Sequence, residues 1–239
     1  MFKFILITFF IVTNAQAFIL ADKNYRLSKP ESTSFKISSE GCTAAGISDA
    51  ILKDAMERAV EIWNDAPESR LYIKVGSKSG TSVTSTTVPK GEVIIGCASL
   101  GAGSIGGTTN QDKANGSARI KLNSDFFSGA QLVGFVGTVV HEFGHAVGLT
   151  HSKDPASVMT YESNGWNYKP SYLAQDDVDG VVYLYPNEKQ LGGLMGSCNS
   201  YSADGKSPQG GMGLELILGF FGFLLIWKVS RKFLLSLIH

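Results

Sequence analysis

An α+β fold is what this 239-residue chain predicts, on three observations taken together. An amphipathic helical stripe lies early, short strand-like runs fill the middle, and two further helical segments come late. The apolar share of 44% supplies one good-sized core but hardly two, so one folded domain is expected. Lysine plus arginine equals aspartate plus glutamate at 21 each, leaving no basic excess for a phosphate backbone. Nucleic acid is therefore not an expected partner. No internal repeat is visible, and no charge run exceeds a few residues.

Thr33 to Ser38 alternates polar with apolar and predicts the first strand. From Ile47 to Trp63, apolar residues recur at helical spacing (Ile47, Ile51, Ala55, Val60, Trp63) behind Ser48-Asp49, which predicts a long amphipathic helix. Leu71 to Val75 and Val93 to Ala98 are the next strands, separated by the Ser/Thr-rich loop Ser77 to Thr87. Gly101-Ala-Gly103-Ser-Ile-Gly106 has the spacing of a dinucleotide-binding loop. The residues after it, Thr108 to Gly116, are polar turn chemistry without a helical stripe, so no helix N-terminus would face a pyrophosphate. A glycine-rich loop leading into an exposed edge strand, about Ser104 to Thr109, is the better account. Ala118 to Leu122 makes another strand, and Gln131 to Leu149 a helix.

That helix carries the chemistry. His141-Glu142-Phe143-Gly144-His145-Ala146-Val147-Gly148-Leu149-Thr150-His151 holds three of the chain's four histidines. His141 and His145 stack on one helical face and aim two imidazoles at one point, and Glu142 leans over the same point. Gly148 is where the helix stops, because glycine tolerates the left-handed backbone that swings His151 round as a third ligand. Three protein ligands leave a fourth position for water, the arrangement of a catalytic rather than a structural zinc site. A helix that merely buries its histidines would need neither the glycine nor the third imidazole. Met159 comes next, inside Ser157-Val158-Met159-Thr160-Tyr161, where a methionine turn would pass beneath the metal.

On these residues the chain resembles a metzincin zinc endopeptidase, and within that clan a matrixin-like one of bacterial type. Ser152 after the third histidine and the short interval from His151 to Met159 are similar to matrixins. So is the downstream block Leu173-Ala-Gln-Asp176-Asp177-Val-Asp179-Gly180-Val-Val-Tyr-Leu184-Tyr185, which resembles their closing helix. The resemblance implies a metzincin-like zincin: a twisted mixed β-sheet with an active-site helix and a C-terminal helix, and one catalytic Zn2+. It departs from the family pattern in three places. No Pro-Arg-Cys-Gly latency segment is present, so a cysteine switch is not expected. Only His239 lies outside the motif, so the histidine-rich structural zinc site of animal matrixins has no ligands, and structural Ca2+ is likewise unsupported. Tyr161 stands where matrixins usually have proline and where astacins and serralysins have a metal-binding tyrosine. Two roles stay open for it, contact with zinc or the oxyanion and a wall of the substrate pocket.

The two ends predict export. Residues 1–17 read as a signal peptide, with the apolar run Phe4 to Val12 and the small-x-small Ala15-Gln16-Ala17 before cleavage. The catalytic domain is expected over 18–187, a Gly/Ser-rich linker over 188–213 and a membrane anchor over 214–239. Within the last, Leu216 to Trp227 is apolar and is succeeded by Lys228, Arg231 and Lys232, which the positive-inside rule reads as a cytoplasmic flank. The apolar core is short against the ~20 residues of a spanning helix, so a buried helix or a trimmed sorting signal are the alternatives. In an exported protein Cys42 and Cys97 are candidates for a disulfide, with two buried thiols as the alternative. Cys198 is left over in the linker.

The expected reaction is peptide hydrolysis by metal-activated water held by His141, His145 and His151, with Glu142 as general base. A protein or peptide substrate would lie extended along the edge strand near Ser104 to Thr109, and Tyr161 to Tyr172 would line its specificity pocket. A monomer is expected. The rivals are a zinc hydrolase of non-peptide esters or amides, and a surface-anchored binding module whose zinc is only structural.

Overall fold

A computed structural model describes residues 18–103, 106–127, 134–160 and 172–187. The chain divides into two units, Met1–Gly193 and Leu194–His239, and every described residue lies in the first. The signal peptide, residues 161–171 of the expected pocket segment with Tyr161 among them, the linker with Cys198 and the C-terminal anchor lie outside the described residues. Among the described residues, no helix is long and apolar enough to cross a membrane.

The core is a five-stranded mixed sheet. Strands β1 (Thr33–Ile37), β2 (Ile73–Val75), β3 (Glu92–Ala98), β4 (Gly107–Asp112) and β5 (Ser117–Asn123) are ordered β2-β1-β3-β5-β4. The pairs β1/β2, β1/β3 and β3/β5 are parallel, whereas β4 runs antiparallel on the outer edge of β5. The central strand β3 is buried along most of its length, consistent with its apolar run Val93-Ile94-Ile95.

Three α-helices complete the α+β fold: α1 (Asp49–Asn64), α2 (Phe135–Val147) and α3 (Gln175–Leu184). Ser48 caps α1, its hydroxyl accepting from the Ile51 N–H at 3.3 Å. The buried face of α1 is Leu52, Ala55, Met56, Ala59, Ile62 and Trp63, and Ile51 is 41% exposed. Ile47, Ala55 and Trp63 of the expected stripe are buried and Val60 is partly buried; Ile51 is turned outward, and Leu52 and Met56 share the inner face instead. Helix α2 is buried nearly all round, and its Phe143 ring meets Phe35 of β1 at 4.3 Å between centroids.

The edge strand departs from expectation as well. It runs from Gly107 to Asp112, so residues Thr108 to Asp112 of the expected polar turn are strand. Antiparallel pairing with β5 satisfies the inner half of this backbone, and side chains at alternate positions make polar bonds to α2 in place of apolar burial. A polar sequence can then hold an edge position.

Cys42 and Cys97 form a disulfide. It ties the residue preceding a short 3-10 turn, Thr43–Ala45, to β3.

Candidate active site

The site is built where α2 ends. Its last turn leaves carbonyls with no partner inside the helix. Gly148, at φ 118°, adopts the left-handed conformation and donates its N–H to the carbonyls of Gly144 and His145. Side chains from distant segments satisfy the rest. Gln111 Nε2 on β4 donates to the His145 carbonyl at 2.6 Å. The hydroxyl of Tyr25 donates to the Ala146 carbonyl at 2.8 Å, and that of Tyr185 to the Val147 carbonyl at 2.6 Å. The end of the helix is thus closed by polar groups from three other segments.

Past the glycine the chain pairs with the segment before β1. Ala21 N donates to the Gly148 carbonyl and Thr150 N to the Ile19 carbonyl, each at 3.0 Å. This bridge fixes the stretch that delivers His151. The rings of His141, His145 and His151 converge, with centroids 4.7, 4.9 and 5.2 Å apart, and their ligand atoms all lie within 4.8 Å of one another.

Two of the tautomers are set by backbone. His141 Nδ1 lies 2.7 Å from the Val158 carbonyl, and His145 Nδ1 lies 2.9 Å from the Leu149 carbonyl. A carbonyl only accepts, so each Nδ1 carries the proton and each Nε2 keeps a free lone pair. Burial, and for His141 and His145 also the neighbouring imidazoles, lowers the proton affinity of the cluster; His141 is pushed down to about 4. Neutral imidazoles converging on one point suit a borderline-soft divalent metal, and a group of three protein ligands leaves a coordination position open.

Glu142 is 4% exposed, and its Oε2 accepts the Thr109 hydroxyl at 2.6 Å. Burial raises its carboxyl to about 7 against the lowering effect of that hydroxyl.

Met159 lies beneath the helix. Gly144 leaves the space for it, since a Cβ there would stand 2.2 Å from Met159 Sδ and 2.6 Å from Trp63 Cζ2. The turn is held by a buried carboxylate, Asp177 of α3. Its Oδ2 accepts from Val158 N at 2.9 Å and from Ala174 N at 3.0 Å, and its Oδ1 accepts the Ser157 hydroxyl. The carbonyl of that same Val158 orients His141, so α3 positions a histidine through the turn.

The structure thus brings His141, His145 and His151 together, sets the Glu142 carboxylate against Thr109 and Gly107 of β4, and packs Met159 against Gly144 of α2. Gln111, Tyr25 and Trp63 carry no local sequence signal for the site, and Thr109 and Tyr185 are marked only by the expected edge strand and closing block; each reaches it from a distant segment. Asp177 has one local signal, its place three residues after Ala174 at the start of a helix.

The family model for the matrixins matches residues 28–186. Interstitial collagenase B of Mus musculus is 27% identical over 167 residues, covering 64% of this chain and 34% of that protein. Matrix metalloproteinase-18 of Xenopus laevis is 24% identical over 144 residues, covering 57% of this chain and 29% of that protein. Matrilysin of Mus musculus is 38% identical over 60 residues, covering 25% of this chain and 22% of that protein. The chain thus spans about a third or less of the length of these curated relatives. Its matched region contains the whole histidine cluster and the methionine turn, and the chain belongs to the matrixin family of metzincins.

Proposed function

We propose that this chain is an exported zinc-dependent endopeptidase that hydrolyses peptide bonds with Glu142 as general base. The observation that carries the reading is the convergence of His141, His145 and His151 with two Nδ1 protons committed to backbone carbonyls. The three imidazoles would hold one Zn2+ through nitrogens whose lone pairs face inward. When bound, zinc supplies Lewis acidity that lowers the pKa of water to about 7 and polarises a scissile carbonyl.

The protein's own groups do the rest. Glu142 takes a proton from the attacking water and returns it to the leaving amine. Its seclusion from solvent keeps bulk water from competing for that proton. The substrate lies extended against β4, the outer strand of the sheet, and gains affinity from backbone hydrogen bonds. On the family resemblance, Tyr161 would either meet the zinc or the oxyanion or, with the residues up to Tyr172, wall the pocket for the substrate's side chain. Family membership favours a peptide substrate over the other esters and amides that the same chemistry could attack, and the glutamate beside the ligands favours catalysis over a structural zinc.

Export is supported by the leader-like residues 1–17 and by the Cys42–Cys97 disulfide, which belongs to an oxidising compartment. The apolar run and basic cluster of residues 214–239 would then anchor the monomer with its catalytic unit outside the cytoplasm.

The test is Glu142→Ala in the full chain, purified in mild detergent. The variant is expected to bind about one zinc per chain while losing cleavage of casein-like substrates by at least ~10²-fold. Retained cleavage would reject the proposed base, and cleavage insensitive to chelators would reject the metal.

A further inference from the structure

We propose that Thr109 is a positioning residue, its hydroxyl holding the Glu142 carboxylate in the orientation that proton transfer needs. This rests on the reading of Glu142 as the base. A carboxylate this buried needs a donor, and among the described residues it has Thr109 Oγ1, 2.6 Å from Oε2. The other oxygen meets Gly107. A Cβ at that position would fall 2.9 Å from Oε1, so a bare Cα is what leaves the carboxylate its place.

Gly107, Thr109 and Gln111 alternate along β4 and therefore share one face. That face makes polar contacts to α2: the Thr109 hydroxyl lies 2.6 Å from the Glu142 carboxylate and 3.3 Å from the Glu142 carbonyl, the shorter contact taking its proton, and Gln111 donates to the His145 carbonyl. Pairing of Gly107 with Leu122 and Thr109 with Ile120 sets the register, and a slip by one residue would turn the whole face away. Threonine is branched at Cβ and stiff at χ1, so its hydroxyl is aimed before Glu142 arrives. Glutamate has three rotatable bonds, and an error of about 1 Å in a reacting group costs on the order of 10²-fold in rate.

The experiment is Thr109→Val and Thr109→Ser in the full chain, assayed on a fluorogenic peptide. Zinc content is measured on each protein, and crystal structures of wild type and the valine variant are compared. Valine keeps the shape and removes the donor. It is expected to lower kcat by about 10- to 100-fold with KM within about twofold, because the side chain faces helix rather than substrate. Serine is expected to restore kcat to within about threefold, and zinc content to stay equal throughout. In the valine crystal, the Glu142 carboxylate is expected to leave its wild-type position.

Unchanged kcat with valine would overturn the proposal, and so would equal losses with valine and serine, which would point to the methyl group instead. Should valine prevent folding, Thr109→Ala takes the same readings. If wild type binds zinc yet cleaves no peptide, the endopeptidase reading fails by itself. The crystal comparison then still decides the role of Thr109, an unmoved Glu142 overturning it and a displaced one supporting it.

Discussion

Gly144→Ala exposes how tightly the metal site is built. In an exposed helix this change would stabilise by roughly 0.5–1 kcal/mol, because alanine loses less backbone entropy than glycine. Here the added Cβ would sit 2.2 Å from Met159 Sδ, 2.6 Å from Trp63 Cζ2 and 3.0 Å from Trp63 Cη2. Optimal contacts between carbon atoms are about 3.5–4.0 Å, so something must move by more than about 1 Å. Trp63 is pinned, its indole N–H donating to the Val140 carbonyl at 2.9 Å. Met159 therefore has to give way. Overpacking of this kind costs about 1–3 kcal/mol, and contacts of 2.2 and 2.6 Å place this site near the upper end, so the expected net loss is about 2 kcal/mol after the helix gain is subtracted. The Val158 carbonyl beside Met159 orients His141, and zinc affinity should fall with stability. Urea denaturation of the metal-free protein reads the first effect, and competition with a chromogenic chelator reads the second. In a double-mutant cycle with Met159→Ala, the two changes should lose less together than the sum of their separate costs. A Gly144→Ala protein as stable as wild type would refute the reasoning.

Other perturbations test other parts of the scaffold. Tyr185→Phe removes the hydroxyl that donates to the Val147 carbonyl and accepts from Leu27 N, and should cost about 1–3 kcal/mol in denaturant midpoint analysis. A cost near zero would show that water replaces it. Burial raises the Tyr185 phenol to about 12 and Tyr25 further still. Raised folded values mean that the folded state holds these protons more tightly than the unfolded chain. The contribution is complete below the ordinary value of 10.0 and is lost as pH rises towards about 12. The last tyrosinate absorbance to appear, that of the buried phenols, should therefore coincide with loss of helical circular dichroism, and Tyr25→Phe should raise the pH of that transition. Replacing Cys42 and Cys97 by serine opens a loop with a sequence separation of 55 and should lower stability by about 2–4 kcal/mol in equilibrium unfolding. A smaller effect would mean that the unfolded chain is already restricted in this region.

How much of the fold and site is legible in the sequence depends on the range of the interaction. The spacing of His141 and His145 and the stop at Gly148 are local, and so they can be read directly. The inner face of α1 cannot be read in full, because Ile51 fits a helical period as well as Leu52 and Met56 do; only the neighbours of the folded helix separate them. The polar run after Gly107 resembles turn because its partners, Glu142 and the His145 carbonyl, lie more than thirty residues away. For Cys42 and Cys97, the sequence leaves a disulfide or two thiols open. The fold brings their Cα atoms to 4.5 Å, within bonding range.

The sequence by itself determined the metal-binding potential of this protein: three imidazoles, a glutamate beside the first, and a glycine that ends their helix. Covalent geometry and a helical repeat of about 3.6 residues are enough for that, because they act within a single segment. Only the tertiary structure decided which nitrogen of His141 faces the histidine cluster, what holds the Glu142 carboxylate, and what closes the carbonyls at the end of α2. Those outcomes turn on hydrogen bonds from Thr109, Gln111, Tyr25, Tyr185 and to the Val158 carbonyl. Such bonds are directional and short in reach, and their partners meet only after sheet and helices have packed.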